Sequence, residues 1–412
     1  MKPPARTAGG AAAGAAANAV AGAPLSGIRV LEIASYVTGP YAAALLADLG
    51  ASVVKLEEPT QGDPFRGWGR GGYSPTFRSV NRGKRSVGVD LRTDDGRAIA
   101  LDLADRSDVL IENMRPGALD RLGLAEHVLR ARNPRLVVCS ISGFGAGGPY
   151  RDRPGYDTVG QAMSGLLGLL TDLDRPLPMG ISLSDHITGL FAALGILAAL
   201  AGRGRDGPGR HVETSLLQAT TAFVAENAAR YFDEGEVPTR ATRARIAQAY
   251  AFSAGDGLPF VVHLSSPPKF WAGLTAAVDR PALRDDPRFA DRAARVANYD
   301  ALQALLAGVF ATAPRGHWLA RLEAEDVPAG PINRLDEVFD DPGVKALDLV
   351  REVVHPTAGS MRLLGNAVTV EGSDEAGIQP PPLLGEHTAA VLRELGRDDD
   401  TIDDLRARAV IR

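Results

Sequence analysis

The stretch IRVLEIASYVTGPYAAALLADLGASVVKLEE, residues 28–58, decides the fold of the first half of the chain. Residues 28–33 are rich in β-forming side chains, which predicts a strand. Gly39-Pro40 predicts the start of a helix, because proline suits the first helical position, and Gly50 predicts its end. Residues 51–56 predict a second strand, so the stretch is typical of a βαβ unit with parallel strands.

Strand and helix patterns continue to alternate after this unit. Further strands are predicted at 86–91 (an edge strand), 109–112, 136–142 and 211–213. Single helices are predicted at 93–105, 119–132, 161–170 and 185–200, and a long one follows residue 213 and ends near 231. Such alternation predicts an α/β fold with a large Rossmann-like domain, in which helices flank a parallel sheet.

The length of 412 residues exceeds what one core usually serves and predicts two domains. We expect a disordered Ala/Gly-rich extension at 1–24, a large domain at 25–233, a small α+β domain at 234–334, and a tail at 335–412 that returns to the large domain. The small domain is predicted from a short strand at 260–263 and the amphipathic helices that follow it.

Composition argues against several classes of protein. The net charge of −5 gives no basic footprint, so we expect no nucleic-acid partner. Cys139 is the only cysteine in the sequence, which fits a reducing cytoplasm and a buried core position. The apolar run 191–200 is too short for a membrane span, and the extension lacks the apolar centre of a signal peptide, so we expect a cytoplasmic protein without membrane contact. None of the seven histidines pairs at metal-ligand spacing, so we expect no metal site.

Three segments have features of phosphate-binding loops. After the first strand, residues 34–40 meet a helix N-terminus, where free N–H groups attract anions. Glu57 ends the second strand, where a dinucleotide fold places its ribose-binding acid, but the G-x-G-x-x-G fingerprint is absent, so a plain α/β unit is the alternative. Residues 142–149 leave a strand but lack the Lys-Ser/Thr ending of a P-loop, so a simple turn is the alternative. Residues 66–85 combine glycine, arginine and aromatic side chains, which suit phosphates and an adenine ring; a solvated basic loop is the alternative.

Asp185 lies in the run SLSDHITG, residues 182–189, at the start of the predicted helix 185–200. An aspartate in this place is most often an N-cap that accepts backbone N–H bonds. The alternative is a nucleophilic carboxylate. The two roles are compatible, because helix N–H groups would keep the carboxylate ionised at neutral pH.

Several motifs together resemble the family III CoA-transferases, the CaiB/BaiF family that includes formyl-CoA and carnitine CoA-transferases. The motifs are Gly39-Pro40, Leu49-Gly-Ala51, Val54-Lys-Leu-Glu57, Gly155-Tyr-Asp157 and Ser184-Asp185 with Gly189. The resemblance extends from residue 25 to about residue 395. It implies an interlocked homodimer, a coenzyme A thioester and a free carboxylic acid as substrates, and no tightly bound cofactor.

The resemblance also implies roles for individual residues. Asp185 is expected to attack the thioester, forming first an aspartyl anhydride and then an aspartyl-CoA thioester. Tyr156 is expected to orient the substrate beside it. The implied contacts to coenzyme A are Val37, Val89, Asp90, Leu91, Arg92, Asn113, Met114, Arg115, Arg121 and Asp157.

Two alternatives to CoA transfer stay open. Racemases of the family place a histidine where this chain has Tyr156, and a tyrosine with a pKa of about 10 is a poor base at neutral pH. The substitution favours transfer over racemisation or epimerisation of a 2-methylacyl-CoA. The other alternative is a non-catalytic CoA-binding protein in which Asp185 is only a cap. Some family transferases cover the aspartate with a glycine-rich loop; residues 247–257 are not a run of glycines, so we expect a different loop or none.

Overall fold

The structure, a computed structural model, describes residues 22–204, 207–371 and 378–412. These residues form two compact units. The first unit comprises 22–166, 179–224 and 349–412, and the second comprises 167–178 and 225–348.

The observed units differ from the predicted domain ranges at their boundaries. The large domain was predicted to end at 233 and the tail to begin at 335, whereas the chain leaves the first unit after 224 and returns to it at 349. Of the predicted extension 1–24, only the last three residues belong to the described part of the chain.

A six-stranded parallel sheet forms the centre of the first unit. Its strands are β1 (Arg29–Ile33), β2 (Ser52–Glu57), β3 (Lys84–Gly88), β4 (Val109–Glu112), β5 (Val137–Ser142) and β6 (His211–Ser215). They lie in the Rossmann-like order β3-β2-β1-β4-β5-β6, and every neighbouring pair is parallel. The predicted α/β fold is therefore confirmed, and β3 lies at an edge of the sheet as expected.

Buried side chains cover both faces of this sheet. Because successive strand residues point to opposite faces, Leu31 and Leu110 join one apolar cluster, whereas Val30 and Val109 join the other. Cys139 of β5 is fully buried in the second cluster, and burial raises the pKa of its thiol. The prediction of Cys139 as a core residue is confirmed.

Helices of the first unit pack against the sheet or border it. They are Thr38–Asp48, Pro75–Val80, Asp94–Asp105, Ala118–Arg121, Glu126–Arg132, Asp157–Met163, Leu183–Arg203, Leu216–Phe223, Thr388–Glu394 and Asp399–Ala407, with 3-10 helices at Pro64–Gly67 and Arg70–Gly72. Three predicted helices are wrong in extent. Those at 119–132 and 161–170 are each interrupted at a glycine with positive φ, Gly123 and Gly165, and the long helix after 213 is split at Val224.

The tail of the chain contributes to the core of the first unit. An antiparallel hairpin, Val350–His355 with Gly359–Leu364, precedes the last two helices. Leu392 and Ile402 of those helices pack in the same cluster as Leu31. The last helix was not predicted, because a run of aspartates separates its few apolar residues.

The second unit has its own core around a three-stranded antiparallel sheet. Its strands are Ala249–Ser253, Pro259–His263 and Ala329–Pro331. Its helices are Ala225–Glu234, Thr242–Ala247, Pro268–Ala277, Arg292–Ala297, Tyr299–Phe310, Arg315–Ala324, Leu335–Val338 and Pro342–Ala346, with a 3-10 helix at Pro281–Arg284, while Leu166–Leu170 straddles the boundary. Phe310 packs edge-on against both Phe260 and Trp318 in the core. Residues 247–257 form the first strand and most of its hairpin turn.

The helix Leu183–Arg203, called the Asp185 helix below, has 21 residues. By length and apolar composition alone it is able to cross a membrane, so the prediction that its apolar run is too short is wrong. Its inner face, which includes Ala192 and Ile196, is buried in the core of the first unit. Core helices of this length and composition pass the same test.

Candidate active site

A cavity of about 250 Å³ opens at the carboxyl ends of β1, β4 and β5. The strand order reverses between β1 and β4, and ligands of open α/β sheets bind at such a point. Its lining consists of Tyr36, Val37, Thr38, Asn113, Met114, Arg115, Pro116, Ile141, Ser142, Gly143, Arg151, Arg153, Pro154, Gly155, Tyr156, Asp185 and Leu216. We call it the Asp185 cavity. It brings six of the predicted site residues together: Val37, Asn113, Met114, Arg115, Tyr156 and Asp185.

A second cavity, of about 320 Å³, lies at the carboxyl ends of β1, β2 and β3. Its lining consists of Ile33, Ala34, Ser35, Leu56, Glu57, Glu58, Gly62, Asp63, Val89, Asp90, Leu91, Arg92 and Met114. Four predicted contact residues, Val89 to Arg92, therefore lie here. Met114 lines both cavities, so the two are neighbours along one edge of the sheet.

Asp185 is the third residue of its helix, not the residue that caps it. The N-cap is Ser182, so the interpretation of Asp185 as an N-cap is wrong. The backbone N–H of Asp185 donates to Oδ1 of Asp157 at 3.1 Å. Among the residues that the structure describes, no hydrogen bond and no ion pair reaches the Asp185 carboxylate. This half-buried carboxylate is therefore unpaired within the described residues.

The protonation of Asp185 also differs from the expectation. Burial, and then the negative charge of Asp157, raise the pKa of the Asp185 carboxyl to about 7. The expectation of a carboxylate kept fully ionised by helix N–H groups is therefore wrong. Its side chain lies where desolvation and a like charge outweigh the helix dipole.

Close helix contacts fix the start of the Asp185 helix. A Cβ on Gly160 would lie 2.4 Å from Oγ of Ser184, and a Cβ on Gly189 would lie 2.9 Å from the carbonyl oxygen of Thr38. Only glycine allows the neighbouring helices to approach so closely. Ser184 is further held by a 2.6 Å hydrogen bond between its hydroxyl and that of Thr220.

Two tyrosines meet at the Asp185 cavity. The exposed Tyr156 precedes the helix Asp157–Met163, and its ring contacts the edge of the Tyr36 ring at 5.9 Å. Tyr36 has a φ of 65°, a left-handed conformation that is strained for a bulky residue. Such strain persists where surrounding structure enforces it, and it is frequent at functional sites. Sequence patterns gave no signal for Tyr36.

The strained loop 34–36 is held from two sides. On one side, the Asn113 side chain accepts from the N–H of Ser35 at 2.9 Å and donates to its carbonyl oxygen at 2.6 Å. On the other, Asp63 accepts from the N–H of Tyr36 at 3.2 Å, and Lys55 donates to the carbonyl oxygen of Ala34 at 2.6 Å.

Lys55 and Asp63 belong to a buried ion cluster, which we define as Glu32, Lys55, Asp63 and Lys84. Nζ of Lys55 lies 2.6 Å from Glu32 and 3.0 Å from Asp63, and Nζ of Lys84 lies 2.7 Å from Glu32. All four side chains are fully enclosed. Sequence reasoning missed the cluster, because its members come from three strands and a loop.

Most cations of the basic segment 66–85 do not face a ligand. Four are paired within the first unit: Arg66 with Glu57, Arg82 with Asp48, Lys84 with Glu32 and Arg85 with Glu394, whereas Arg70 and Arg78 form no ion pair within the described residues. An arginine that neutralises a buried carboxylate has no fork left for a ligand.

The three arginines predicted to contact coenzyme A differ in whether a carboxylate of the protein already pairs with them. Arg115 and Arg121 form no ion pair within the described residues, whereas Arg92 pairs with Asp90 at 2.8 Å. Arg121 lies outside both linings, but its Nη1 is 3.6 Å from where a Cβ on Gly117 would stand, and Nη2 of Arg151 is 3.7 Å from the same point. Two guanidinium groups therefore converge near the Asp185 cavity.

Histidine chemistry is absent from this site. His186 is turned toward the carbonyl oxygen of Ser182, at 2.7 Å from Nδ1, and toward the ring of Tyr41. No histidine is among the described residues that line the Asp185 cavity. In the described ranges, no cluster of three or more His, Cys, Asp or Glu is arranged to hold a metal ion.

The geometry agrees with comparisons to known proteins. Residues 25–388 match the model of CoA-transferase family III. A mouse (Mus musculus) succinyl-CoA:glutarate CoA-transferase is 36% identical over 94% of this chain and 90% of its own. An acetyl-CoA:oxalate CoA-transferase from Acetobacter aceti is 36% identical over 90% of this chain and 95% of its own. The crystal structure of a CaiB/BaiF family protein from Brucella suis superposes with a TM-score of 0.79 at 36% identity, covering 91% of this chain and all of the other. The chain belongs to CoA-transferase family III.

Proposed function

We propose that this enzyme moves CoA from an acyl-CoA thioester to a free carboxylic acid through covalent intermediates on Asp185. One observation carries the proposal: an unpaired, half-buried carboxylate lines a cavity at the switch point of the parallel sheet. Its family relatives are named for CoA transfer between acyl-CoA and acids, which supports the same reaction here.

The reaction proceeds in four balanced steps. The Asp185 carboxylate attacks the donor thioester, the C–S bond breaks, and an aspartyl anhydride and CoA thiolate form. The thiolate attacks the Asp185 carbonyl and expels the donor acid, leaving an aspartyl-CoA thioester. The acceptor carboxylate displaces the thiolate from Asp185 to give a new anhydride. The thiolate then attacks the acceptor carbonyl, releasing the new acyl-CoA and regenerating Asp185, so no ATP is consumed.

We assign coenzyme A to the two neighbouring cavities. Its adenosine end is placed in the second cavity, with Val89 to Arg92, and its pantetheine arm passes Met114 to reach Asp185. Arg115 and Arg121 carry charges that no described carboxylate neutralises, and guanidinium groups suit phosphates. The predicted contact role of Asp157 is the least supported, because both of its carboxylate oxygens already accept hydrogen bonds within the protein.

Developing negative charge needs donors beside Asp185. Thr38 and Gly39 begin the helix Thr38–Asp48, where first-turn N–H groups have no intrahelical partner. Val37 and Thr38 line the Asp185 cavity, so these N–H groups are suited to stabilise the tetrahedral oxyanions.

The acid substrate is proposed to be a dicarboxylic acid. The relatives named above act on glutarate and oxalate by their names, and both are dicarboxylic. Besides Arg115, which is assigned to coenzyme A, Arg151 and Arg153 line the Asp185 cavity, so a cation is available for a second carboxylate.

The active form is proposed to be an interlocked homodimer in the cytoplasm. The Asp185 helix leaves Leu190 and Leu194 about half exposed, at 51% and 60%, and Phe223 is exposed at 59%. Apolar side chains exposed together on one helix favour burial against a partner, here a second copy. The chain crosses between its two units repeatedly, which suits interlocking.

Racemisation is the second candidate, and one assay separates the two. The purified protein is incubated in D₂O with succinyl-, acetyl- or 2-methylacyl-CoA and a panel of dicarboxylic acids. We expect a new CoA thioester without ATP and without deuterium at the α-carbon. Incorporation of α-deuterium at a rate comparable to or above transfer contradicts the proposal and favours a racemase. If the protein catalyses neither transfer nor deuterium exchange, a CoA-binding protein is favoured.

A further inference from the structure

Gln161, in the helix Asp157–Met163, is almost completely buried, with 1% of its surface exposed. Its Nε2 donates to Oδ2 of Asp157 at 2.6 Å and to the carbonyl oxygen of Ile181 at 3.2 Å. Its Oε1 has no hydrogen-bond partner in the part of the chain that the structure describes. A buried amide that leaves its oxygen unsatisfied needs an explanation, because such groups are rare in folded proteins.

The two contacts of Gln161 lead to the nucleophile. Asp157 uses one carboxylate oxygen for Gln161 and the other for the backbone N–H of Asp185, at 3.1 Å. Ile181 lies just before the Asp185 helix, so its bond to Gln161 fixes the approach of the chain to that helix. The amide therefore orients both the charge beside Asp185 and the segment that leads to it.

We propose that Gln161 is a positioning residue of the transfer reaction, which holds the Asp157 carboxylate against the backbone of Asp185 and keeps a negative charge fixed beside the nucleophile. The inference rests on the proposed role of Asp185. A neighbouring negative charge makes the Asp185 carboxylate more basic and a stronger nucleophile. Acylation removes the charge of Asp185, so the repulsion is relieved as the anhydride forms.

Other charged and titratable groups also face Asp185. Tyr36, Arg115, Arg151, Arg153 and Tyr156 line the same cavity, while His186, on the same helix, is engaged by Ser182 and Tyr41. The guanidinium groups oppose the effect of Asp157, because they favour the ionised form of Asp185. Burial raises the pKa of Asp185 most and the Asp157 charge raises it further, so a change in the position of that charge should move the pKa.

The sign of the pH effect follows from the raised pKa of Asp185, about 7. Below the unfolded pKa of about 4, Asp185 is protonated in both states, and its ionisation adds nothing to the stability difference between the wild type and Asp185→Asn. As the pH rises toward 7 the unfolded chain ionises first, so the wild type loses stability relative to Asp185→Asn. Above about pH 7 the difference is constant. The upper end of this change in the melting-temperature difference reports the pKa of Asp185 without any turnover.

The test compares two titrations in the wild type and in three variants, Gln161→Met, Asp157→Asn and Gln248→Met. The first titration is the acid limb of kcat/KM for the acyl-CoA donor, and the second is the melting-temperature difference caused by Asp185→Asn. Gln161→Met removes the amide at nearly constant volume. We expect the midpoints of both titrations to move to lower pH by about half a unit or more, and kcat to fall by about three- to thirtyfold. Asp157→Asn removes the charge, and the Gln161 amide is able to turn its Oε1 toward the new N–H₂; we expect a shift of about one unit or more.

Gln248→Met is the matched control. Gln248 is also 1% exposed and hydrogen-bonded through both ends of its amide, but it lies in the second unit. We expect it to lower the melting temperature without moving either titration. If both titrations move in Asp157→Asn but neither moves in Gln161→Met, the proposal is overturned. A thermal titration that shifts as expected in a protein without transfer activity overturns the proposed function instead and leaves the arrangement of charges intact.

Discussion

Two groups of buried carboxylates in the first unit are built in opposite ways. In the buried ion cluster, Glu32 lies within 2.7 Å of both Lys55 and Lys84, and Asp63 lies 3.0 Å from Lys55. At the candidate active site, Asp185 has no cationic partner among the described residues, and the charge that affects its pKa most is the like charge of Asp157. The paired group holds the loop 34–36 in place, whereas the unpaired carboxylate is the proposed nucleophile.

The two groups should respond differently to substitution: loss of an ion partner should reduce stability, and loss of Asp185 should reduce activity. Buried charges cost free energy unless they are paired, and functional sites are where that cost is tolerated.

Asp185→Asn should show the largest effect. Asparagine keeps the size of the side chain but is no useful nucleophile, so we expect transfer to fall by about 10³-fold or more while the fold persists. Initial rates with a saturating acyl-CoA donor and acid, with circular dichroism and melting temperature as the control, measure it. If the variant kept a tenth or more of the wild-type rate, Asp185 would not be the nucleophile, and the contrast between the two groups of carboxylates would fail.

Lys55→Met should show the largest loss of stability. Removal of one partner from a buried ion pair leaves a buried charge uncompensated, which costs about 3–5 kcal/mol. Denaturant unfolding measures it, and Lys269→Met is the control, because the Lys269–Asp326 pair is exposed and should contribute about 1 kcal/mol or less. Equal losses in the two variants would show that the buried ion cluster is not structural.

Arg92→Ala should weaken binding of the CoA donor by up to about tenfold, since it removes a charge-assisted contact to phosphate, although the guanidinium group is exposed and already pairs with Asp90. Arg288→Ala is a closely matched control, because Arg288 pairs with Asp286 through the same two-residue spacing in the second unit. The KM for the donor separates them. If Arg92→Ala changes the KM for the acid and leaves the KM for the CoA donor unchanged, the second cavity does not hold CoA.

Tyr156→Phe should show the smallest effect, about a few-fold loss in kcat. The ring keeps its edge contact with Tyr36, and only the hydroxyl is lost, so an orienting role predicts a modest change. A loss as large as that of Asp185→Asn would contradict an orienting role and would place the Tyr156 hydroxyl in the chemical step itself.

Local patterns in the sequence predicted the parallel sheet and the start of the Asp185 helix, because they depend on neighbouring residues. They failed where the outcome depends on partners distant in sequence. Arg66 was expected to face a ligand, yet Glu57 of β2 takes its guanidinium group. The raised pKa of Asp185 depends partly on Asp157, 28 residues earlier. No propensity scale predicts the left-handed conformation of Tyr36, because tertiary contacts enforce it.

The central claim is that Asp185 becomes acylated during turnover, and direct trapping tests it. The protein is incubated with an acyl-CoA donor and hydroxylamine, digested, and examined by mass spectrometry for the peptide that contains Asp185. The account predicts a hydroxamate on Asp185 that requires the donor and is missing in Asp185→Asn. A protein that transfers CoA while this peptide stays unmodified, or while the hydroxamate maps to another residue, would contradict it.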